Sequence, residues 1–486
     1  MKQIDCLIFV PGINSIAHRE RFTTIYDFPR GALSLASFLK AKGVSSLVVP
    51  LDFYMPPLTP PSPLFNKEGE EGGVGGDRSV EIESEIGKIV EAVSREYQPL
   101  VAGISVPYTM LYPASLKIAE NCKKVMPSAM TCMGGPHVSY RDAQCFEDSD
   151  YVDVIVRGEG EWALLEIIDA VKSKRGFHNI KGITFYESRI TNHEPRTPDH
   201  ESRVIQNPPH PPGDIKELPM LDYTLLPEEF VRNMAVSIVA SRGCAYKCSY
   251  CNESRFWGHK VRKIPIDKVI EEIRILGSDY NNYPVGLEDS MFNMRSPYFF
   301  EFCSRLSDLR LNPNLYLLSR VDSVSEEGYG AMRKAGIRNI ILGIESASPK
   351  VLNAMNKKIT AGQAEEACKT AVGSGLVVGA FWIIGHPGDN PAESEITLEV
   401  MDKFYSKGIL QTSEIALFVP YPGTDIFEQP EKYGLEILSY EWERWGRFNT
   451  DPVCQLKDFK SDEIKLYWEK GVEIDRKWRD KKAKRF

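Results

Sequence analysis

Ala235-Val236-Ser237-Ile238-Val239-Ala240 runs without a break into Ser241-Arg242-Gly243-Cys244-Ala245-Tyr246-Lys247-Cys248-Ser249-Tyr250-Cys251. The first six residues are short, apolar and β-branched, the pattern of a strand covered on both faces. The next eleven carry a glycine and three cysteines and read as a loop. Further strand-like runs follow at 285–288, 315–318, 339–344, 377–384 and 415–419, and amphipathic helical stretches fall between them at 266–276, 298–309, 326–335, 364–374 and 394–405. Each strand–helix unit has the ~30 residues of a βαβ repeat. Six such units predict a partial (β/α)6 barrel of the TIM type over residues 230–430. Barrel chemistry gathers at the carboxyl ends of the strands, where the cysteine loop falls.

Upstream, strands at 4–10, 46–51, 100–106, 130–133 and 152–156 alternate with helices at 31–42, 80–97, 113–125 and 162–173. That alternation predicts a doubly wound, Rossmann-like α/β domain over residues 1–190. Residues 56–77 are rich in proline, then in glutamate and glycine; they are read as a disordered insertion, because they bury too little apolar surface to offset ordering entropy. Residues 191–229 hold eight prolines and no sustained periodicity and are read as a linker. Residues 431–486 form a small, α-rich C-terminal region ending in a basic tail, read as a solvated helix end.

The chain of 486 residues is 42% hydrophobic and 26% charged, with net charge −8. This argues against a general nucleic-acid binder. No apolar run reaches the ~18 residues of a membrane-spanning helix, so no integral membrane segment is expected. The N-terminus lacks the marks of a signal peptide, and a cytoplasmic protein is expected.

Seven of the ten cysteines are scattered in apolar or helical settings; Cys244, Cys248 and Cys251 are clustered. In a reducing compartment a cluster points to metal rather than disulfides. With C-x3-C-x2-C spacing, three thiolates can ligate three irons of a [4Fe–4S] cubane, leaving the fourth open to a small molecule. Structural zinc needs four ligands, and only His259 lies near. An electron-transfer ferredoxin site needs a fourth cysteine. A non-catalytic iron–sulfur or zinc module is the weakest alternative.

This loop, with Tyr250 before its last cysteine and a strand before it, resembles the radical-SAM superfamily over roughly residues 230–430. The resemblance implies that S-adenosylmethionine (SAM) chelates the open iron and is reductively cleaved to a 5′-deoxyadenosyl radical that abstracts hydrogen. It implies SAM contacts from Tyr250, Glu288, Asp289, Ser319, Arg320, Glu345 and His386. The last six lie at successive strand ends, where helix N-capping is the competing role for the polar groups; His386 has a structural role as its own alternative. The resemblance also implies a small-molecule substrate and an electron donor such as flavodoxin or ferredoxin.

Ahead of that core, Gly134-Gly135-Pro136-His137 follows a short strand and Arg157-Gly158-Glu159-Gly160-Glu161 follows the next. Two glycines in a βα turn are common by themselves. In this context they resemble the cobalamin (B12)-binding radical-SAM subfamily, which implies cobalamin contacts from Ser105, Val106, Gly134, Gly135, His137 and Glu159. Asp-x-His-x-x-Gly, whose histidine ligates cobalt in the wider cobalamin fold, is absent around all eight histidines. No histidine is therefore expected as the lower ligand. The resemblance implies a class B-type cobalamin-dependent methyltransferase acting on an unactivated carbon. The alternatives are a cobalamin-dependent cyclase or rearrangement enzyme of pigment or secondary-metabolite type, and a radical SAM enzyme whose first domain is degenerate and binds no cobalamin. No motif names a catalytic acid, base or substrate.

Overall fold

The computed structural model describes residues 1–12, 28–55, 79–187, 203–282, 284, 286–310, 315–446 and 449–483. The insertion expected at 56–77 lies outside the described residues. The chain forms two compact units, Met1–Met234 and Ala235–Phe486.

In the first unit, strands β1 (Lys2–Val10), β2 (Ser46–Pro50), β3 (Tyr97–Ser105), β4 (Met130–Gly134), β5 (Val154–Val156), β6 (Ile183–Tyr186) and β7 (Val204–Gln206) make one sheet in the order β2-β1-β3-β4-β5-β6-β7. The first five strands are parallel. Cys6 through Val10 are all buried, as a central parallel strand between helical layers requires. The order reverses between β1 and β3, and that switch point is where doubly wound sheets open a crevice at their carboxyl edge.

Two strands depart from the sequence reading. β6 and β7 extend the sheet antiparallel to their neighbours. β7 comes from the stretch expected to be a linker: Val204-Ile205-Gln206 is a proline-free interval whose N–H groups are free to pair. Asn207 then ties the chain back, donating at 2.7 Å to the carbonyls of Phe177 and Ile180. Residues 203–234 thus belong to the first unit, and the boundary falls after Met234.

The second unit holds β8 (Ser237–Ile238), β11 (Gly286–Leu287), β12 (Tyr316–Arg320), β13 (Asn339–Glu345), β14 (Val377–Ile384) and β15 (Thr412–Leu417) in unbroken order, every neighbour parallel. This is the six-unit partial barrel, with helices Ile266–Asp279, Pro297–Asp308, Glu326–Lys334, Ala361–Gly373 and Pro391–Ser406 between its strands. The caps of the last four are Ser296, Ser325, Thr360 and Asn390. None of these is a candidate SAM contact, so capping is not what engages Asp289, Ser319 or Glu345.

The C-terminal region is less helical than expected. β16 (Leu435–Ile437) and β17 (Cys454–Leu456) pair antiparallel beside a core of Val419, Phe427, Trp445 and Val453. Helix Ser461–Ala483 runs along β15, the edge strand of the barrel sheet. Trp468 Nε1 donates to the Ile415 carbonyl at 2.8 Å, and Asp475 accepts from the Ser413 amide at 2.9 Å. Side chains of the helix thereby occupy edge groups that an exposed strand would leave open to other chains. No helix among the described residues is long and apolar enough to cross a membrane.

Gly135 has φ +131°, and a Cβ there would lie 2.2 Å from the Val106 carbonyl oxygen. Gly158 has φ +75° with open space around it. Gly135→Ala is expected to combine backbone strain of about 1–3 kcal/mol with overpacking of about 1–3 kcal/mol. Gly158→Ala carries only the left-handed penalty of about 1–2 kcal/mol. Denaturant unfolding of the two variants should rank them in that order.

Candidate functional site

The cysteine loop leaves the short strand β9 (Ser241–Arg242), which pairs antiparallel with β10 (Arg262–Lys263). Gly243 has φ +102°, and a Cβ there would sit 2.5 Å from the Lys260 carbonyl, so the loop lies directly on the returning backbone. The Cys244 amide donates to the Gly258 carbonyl at 3.2 Å, and the Cys251 amide closes a turn onto the Cys248 carbonyl at 3.2 Å. All three thiols are unpaired and half-buried. They are close enough that a charge on Cys248 is felt by both Cys244 and Cys251. Burial pushes the Cys244 and Cys251 thiols up, so thiolates there call for a cation to bind them. Among the described residues no group of three or more His, Cys, Asp or Glu is gathered tightly enough for a single metal ion. A cubane takes each sulfur on a different iron, so this donor set fits a cluster rather than mononuclear zinc.

A second loop, between helices Pro349–Ala354 and Ala361–Gly373, clamps the first. Asn356 Nδ2 donates to the Lys247 carbonyl at 2.8 Å, and the Ser249 amide donates to the Met355 carbonyl at 3.0 Å. The Lys357 ammonium, 2% exposed, donates to Glu345 Oε1 at 2.6 Å and to the Tyr250 hydroxyl at 3.0 Å. That hydroxyl donates in turn to Glu345 at 3.2 Å. Burial and the Glu345 carboxylate both push the Tyr250 phenol up, so it stays protonated as a donor. Glu345 sits at a bulge in β13 with φ +68°, and its carboxylate lies where a Cβ on Gly343 would be, at 2.7 Å. The glycine of Gly343-Ile344-Glu345-Ser346 thus makes room for the buried pair.

The remaining candidate SAM contacts divide by what they touch. Asp289, 2% exposed, accepts from the Ala240 amide at 2.6 Å and the Ser241 amide at 3.2 Å. Its carboxylate replaces the strand ladder there, which is why β8 ends earlier than its sequence suggests. Ser319 is buried and bonded to the Phe292 carbonyl and the Ser323 hydroxyl, each at 3.2 Å. Arg320 reaches Cys248 Sγ at 3.3 Å. Glu288 is exposed and accepts from the Tyr316 hydroxyl.

His386 is fully buried. Its Nδ1 faces the Pro387 carbonyl at 2.7 Å, which can only accept, so Nδ1 carries the proton. Its Nε2 lies 3.0 Å from the Ser249 hydroxyl, itself 3.0 Å from the Ala354 carbonyl. Both ring nitrogens are thus engaged, one of them by the cysteine loop. Trp382 is a core residue, 1% exposed, with Nε1 on the Ser413 hydroxyl at 3.1 Å. Sequence reasoning missed Lys357, Asn356 and Ser249. Ser249 lies inside the motif and was open to view; nothing in Met355-Asn356-Lys357-Lys358 announces a buried cation.

In the first unit the cobalamin candidates occupy consecutive strand ends. The Val106 amide donates to the Gly134 carbonyl at 2.7 Å, and the Gly158 amide donates to the Ser139 hydroxyl at 2.9 Å, so the turns after β3, β4 and β5 form one continuous edge. Ser105 offers its carbonyl to the Ser115 hydroxyl at 3.2 Å. Glu159 is buried. His137 is 2% exposed, packed on the Tyr112 ring with centroids 4.3 Å apart, and its Nδ1 lies 3.3 Å from the Thr109 hydroxyl. Burial pushes it down to about 3, so it is a neutral interior residue. A glycine-lined edge at a switch point fits a bulky flat cofactor.

Comparison with known proteins matches a family model to each unit. Residues 238–401 match the Radical SAM superfamily, and residues 75–168 match the B12 binding domain. The chain is 30% identical over 384 residues to a Pyrococcus horikoshii protein named an uncharacterized methyltransferase, covering 78% of each chain. It is 27% identical over 359 residues to the anaerobic magnesium-protoporphyrin IX monomethyl ester cyclase of Rubrivivax gelatinosus, covering 72% of this chain and 61% of the cyclase. Its fold matches the radical S-adenosylmethionine methyltransferase TsrM from Kitasatospora setae, solved with cobalamin and a [4Fe–4S] cluster, with a TM-score of 0.67 and 16% identity over 98% of this chain and 99% of that one.

Burial pushes His386 down from 6.5 to about 4. The unfolded chain then binds more protons than the folded one between those values, so the contribution of His386 is complete above pH 6.5 and is lost as pH falls toward 4. The unfolding free energy of the wild type relative to His386→Gln should decline across that window and level off below it, as read by denaturant titration at stepped pH.

Proposed function

This chain belongs to the B12-binding branch of the radical SAM superfamily, and from that premise we propose that it is a cobalamin-dependent methyltransferase acting on an unactivated carbon of a small molecule. The observation that carries the reading is the set of three unpaired thiols on one clamped loop at the carboxyl edge of a six-stranded barrel sheet, in a chain that also bears a B12-binding domain. Cys244, Cys248 and Cys251 would hold the [4Fe–4S] cluster. Tyr250, Glu345 and the exposed Glu288 are suited to hold SAM beside it, a carboxylate being a natural partner for its ammonium group. Ser105, Val106, Gly134, Gly135 and Glu159 border the edge that would receive cobalamin. When bound, these groups supply one-electron cleavage of a sulfonium and a methyl carrier, chemistry that no side chain offers. The protein's part is to keep the thiols in place, exclude water and orient the ligand.

The cluster needs an outside electron. From Arg242 to Lys263 the chain carries six lysines and arginines against a single acid, Glu253, which is held by the Ser290 hydroxyl. Lys247, Arg255, Lys260 and Lys263 are exposed. In a chain of net charge −8 this local excess supports an acidic donor such as flavodoxin or ferredoxin. Ten unpaired cysteines support work in a reducing cytoplasm.

The cyclase relatives favour a second reading, radical cyclisation without methyl transfer. Full-length protein reconstituted anaerobically should contain iron and sulfide in equal amounts and release 5′-deoxyadenosine from SAM under a strong reductant. Serine at any of the three cysteines should abolish that release. Zinc without sulfide overturns the reading at its root. A cobalamin absorption spectrum after reconstitution tests the first unit, and SAM labelled in its methyl group separates the two reactions: label in the product means methyl transfer, and a ring-closed product without label means cyclisation.

A further inference from the structure

Arg320 closes β12 with 8% of its surface exposed. Its Nε and Nη2 form a fork on the Asp322 carboxylate at 2.9 and 3.1 Å, and Nη2 also donates to the Lys357 carbonyl at 2.6 Å. Its plane lies over the Tyr246 ring, 3.7 Å from the centroid. With that edge and face fixed, Nη1 points at Cys248 Sγ, 3.3 Å away. An arginine cannot lose its proton in a protein, so this is a permanent charge held against one cluster sulfur.

The geometry points to Arg320 as a positioning residue that sets the reduction potential of the cluster through Cys248. The family resemblance implies a SAM contact for this side chain; in the structure its guanidinium also reaches the sulfur. Reduction adds one electron, taken from an external reductant, to a cluster already carrying three thiolates, and no proton need move. The added negative charge is stabilised by the adjacent guanidinium, and hydrogen bonds to sulfur and local charge are what tune such potentials. The potential is therefore higher than the same loop would give without Arg320. The contact to the Lys357 carbonyl links the same guanidinium to the clamping loop, so sulfur and clamp share one fixed group. This inference rests on the cluster and not on which reaction follows.

The test is a redox titration of full-length wild type, Arg320→Lys and Arg320→Gln, each reconstituted anaerobically and followed by electron paramagnetic resonance, first without and then with SAM. Iron and sulfide are assayed in parallel. Arg320→Gln is expected to keep its iron and sulfide and, before SAM is added, to show about a tenfold lower ratio of reduced to oxidised cluster at the wild-type midpoint, a negative shift of about 59 mV for one electron. Arg320→Lys, which keeps the charge but not the fork, is expected to fall between. A fully loaded Arg320→Gln with the wild-type midpoint overturns the inference, as does a shift that appears only once SAM is present. Should Arg320→Gln hold no cluster, a loaded Arg320→Lys with the wild-type midpoint overturns it equally. Wild type without any cluster refutes the cluster reading instead, which is a different result.

Discussion

The buried Lys357–Glu345 pair fixes the geometry on which the second unit's chemistry depends. The three cysteines sit on irregular backbone between β9 and the short helix Glu253–Phe256. Irregular backbone has no ladder of its own to hold it. Here the order comes from outside: Lys357 and Glu345 grip the Tyr250 hydroxyl from two sides. Removing one partner of such a pair strands a charge in the interior and costs about 3–5 kcal/mol. The same pair is poor evidence of net stability, since an apolar substitute of equal volume is often no less stable. Its value is in direction. It fixes where the aromatic ring between two cluster cysteines stands.

Around that pair the restraints come from separate parts of the chain. Asp289 holds the entry to the loop, Asn356 and the Met355 carbonyl hold its middle, and His386 holds Ser249. Each hydrogen bond contributes about 1 kcal/mol net. Their distribution matters more than their sum, because four strand ends must be in register for the loop to have one shape.

Much of this was legible in the sequence, and the reasons for the rest are physical. Alternating apolar runs revealed five parallel strands of the first sheet and six of the second, because a doubly covered strand has no polar face to blur it. β6 and β7 escaped because they add to the edge antiparallel and without a helix between them, so the repeat gives no cue. The cysteine spacing declared itself within eleven residues. Lys357 did not, since a buried ammonium is a tertiary fact: it lies twelve residues beyond Glu345 and more than a hundred beyond Tyr250, and only the folded barrel brings them together.

The strand-end residues show what a motif does and does not specify. Read as a family pattern, Glu288, Asp289, Ser319, Arg320, Glu345 and His386 form one class of ligand contacts. Their environments divide them. Asp289, Ser319 and His386 are buried with their polar atoms engaged by the protein itself, and Arg320 is engaged by a thiol and a backbone carbonyl. Glu288 alone of the group is exposed. A polar residue at the mouth of a barrel is retained for one of two reasons, to meet a ligand or to hold what meets it. The second demands burial and satisfied partners, whereas the first demands an atom left open. Asp289, Ser319 and His386 have the partners of residues that hold the loop, while Glu288 keeps an exposed carboxylate. The chemistry of the site then depends less on how many side chains reach the ligand than on how few ways the loop beneath it can move.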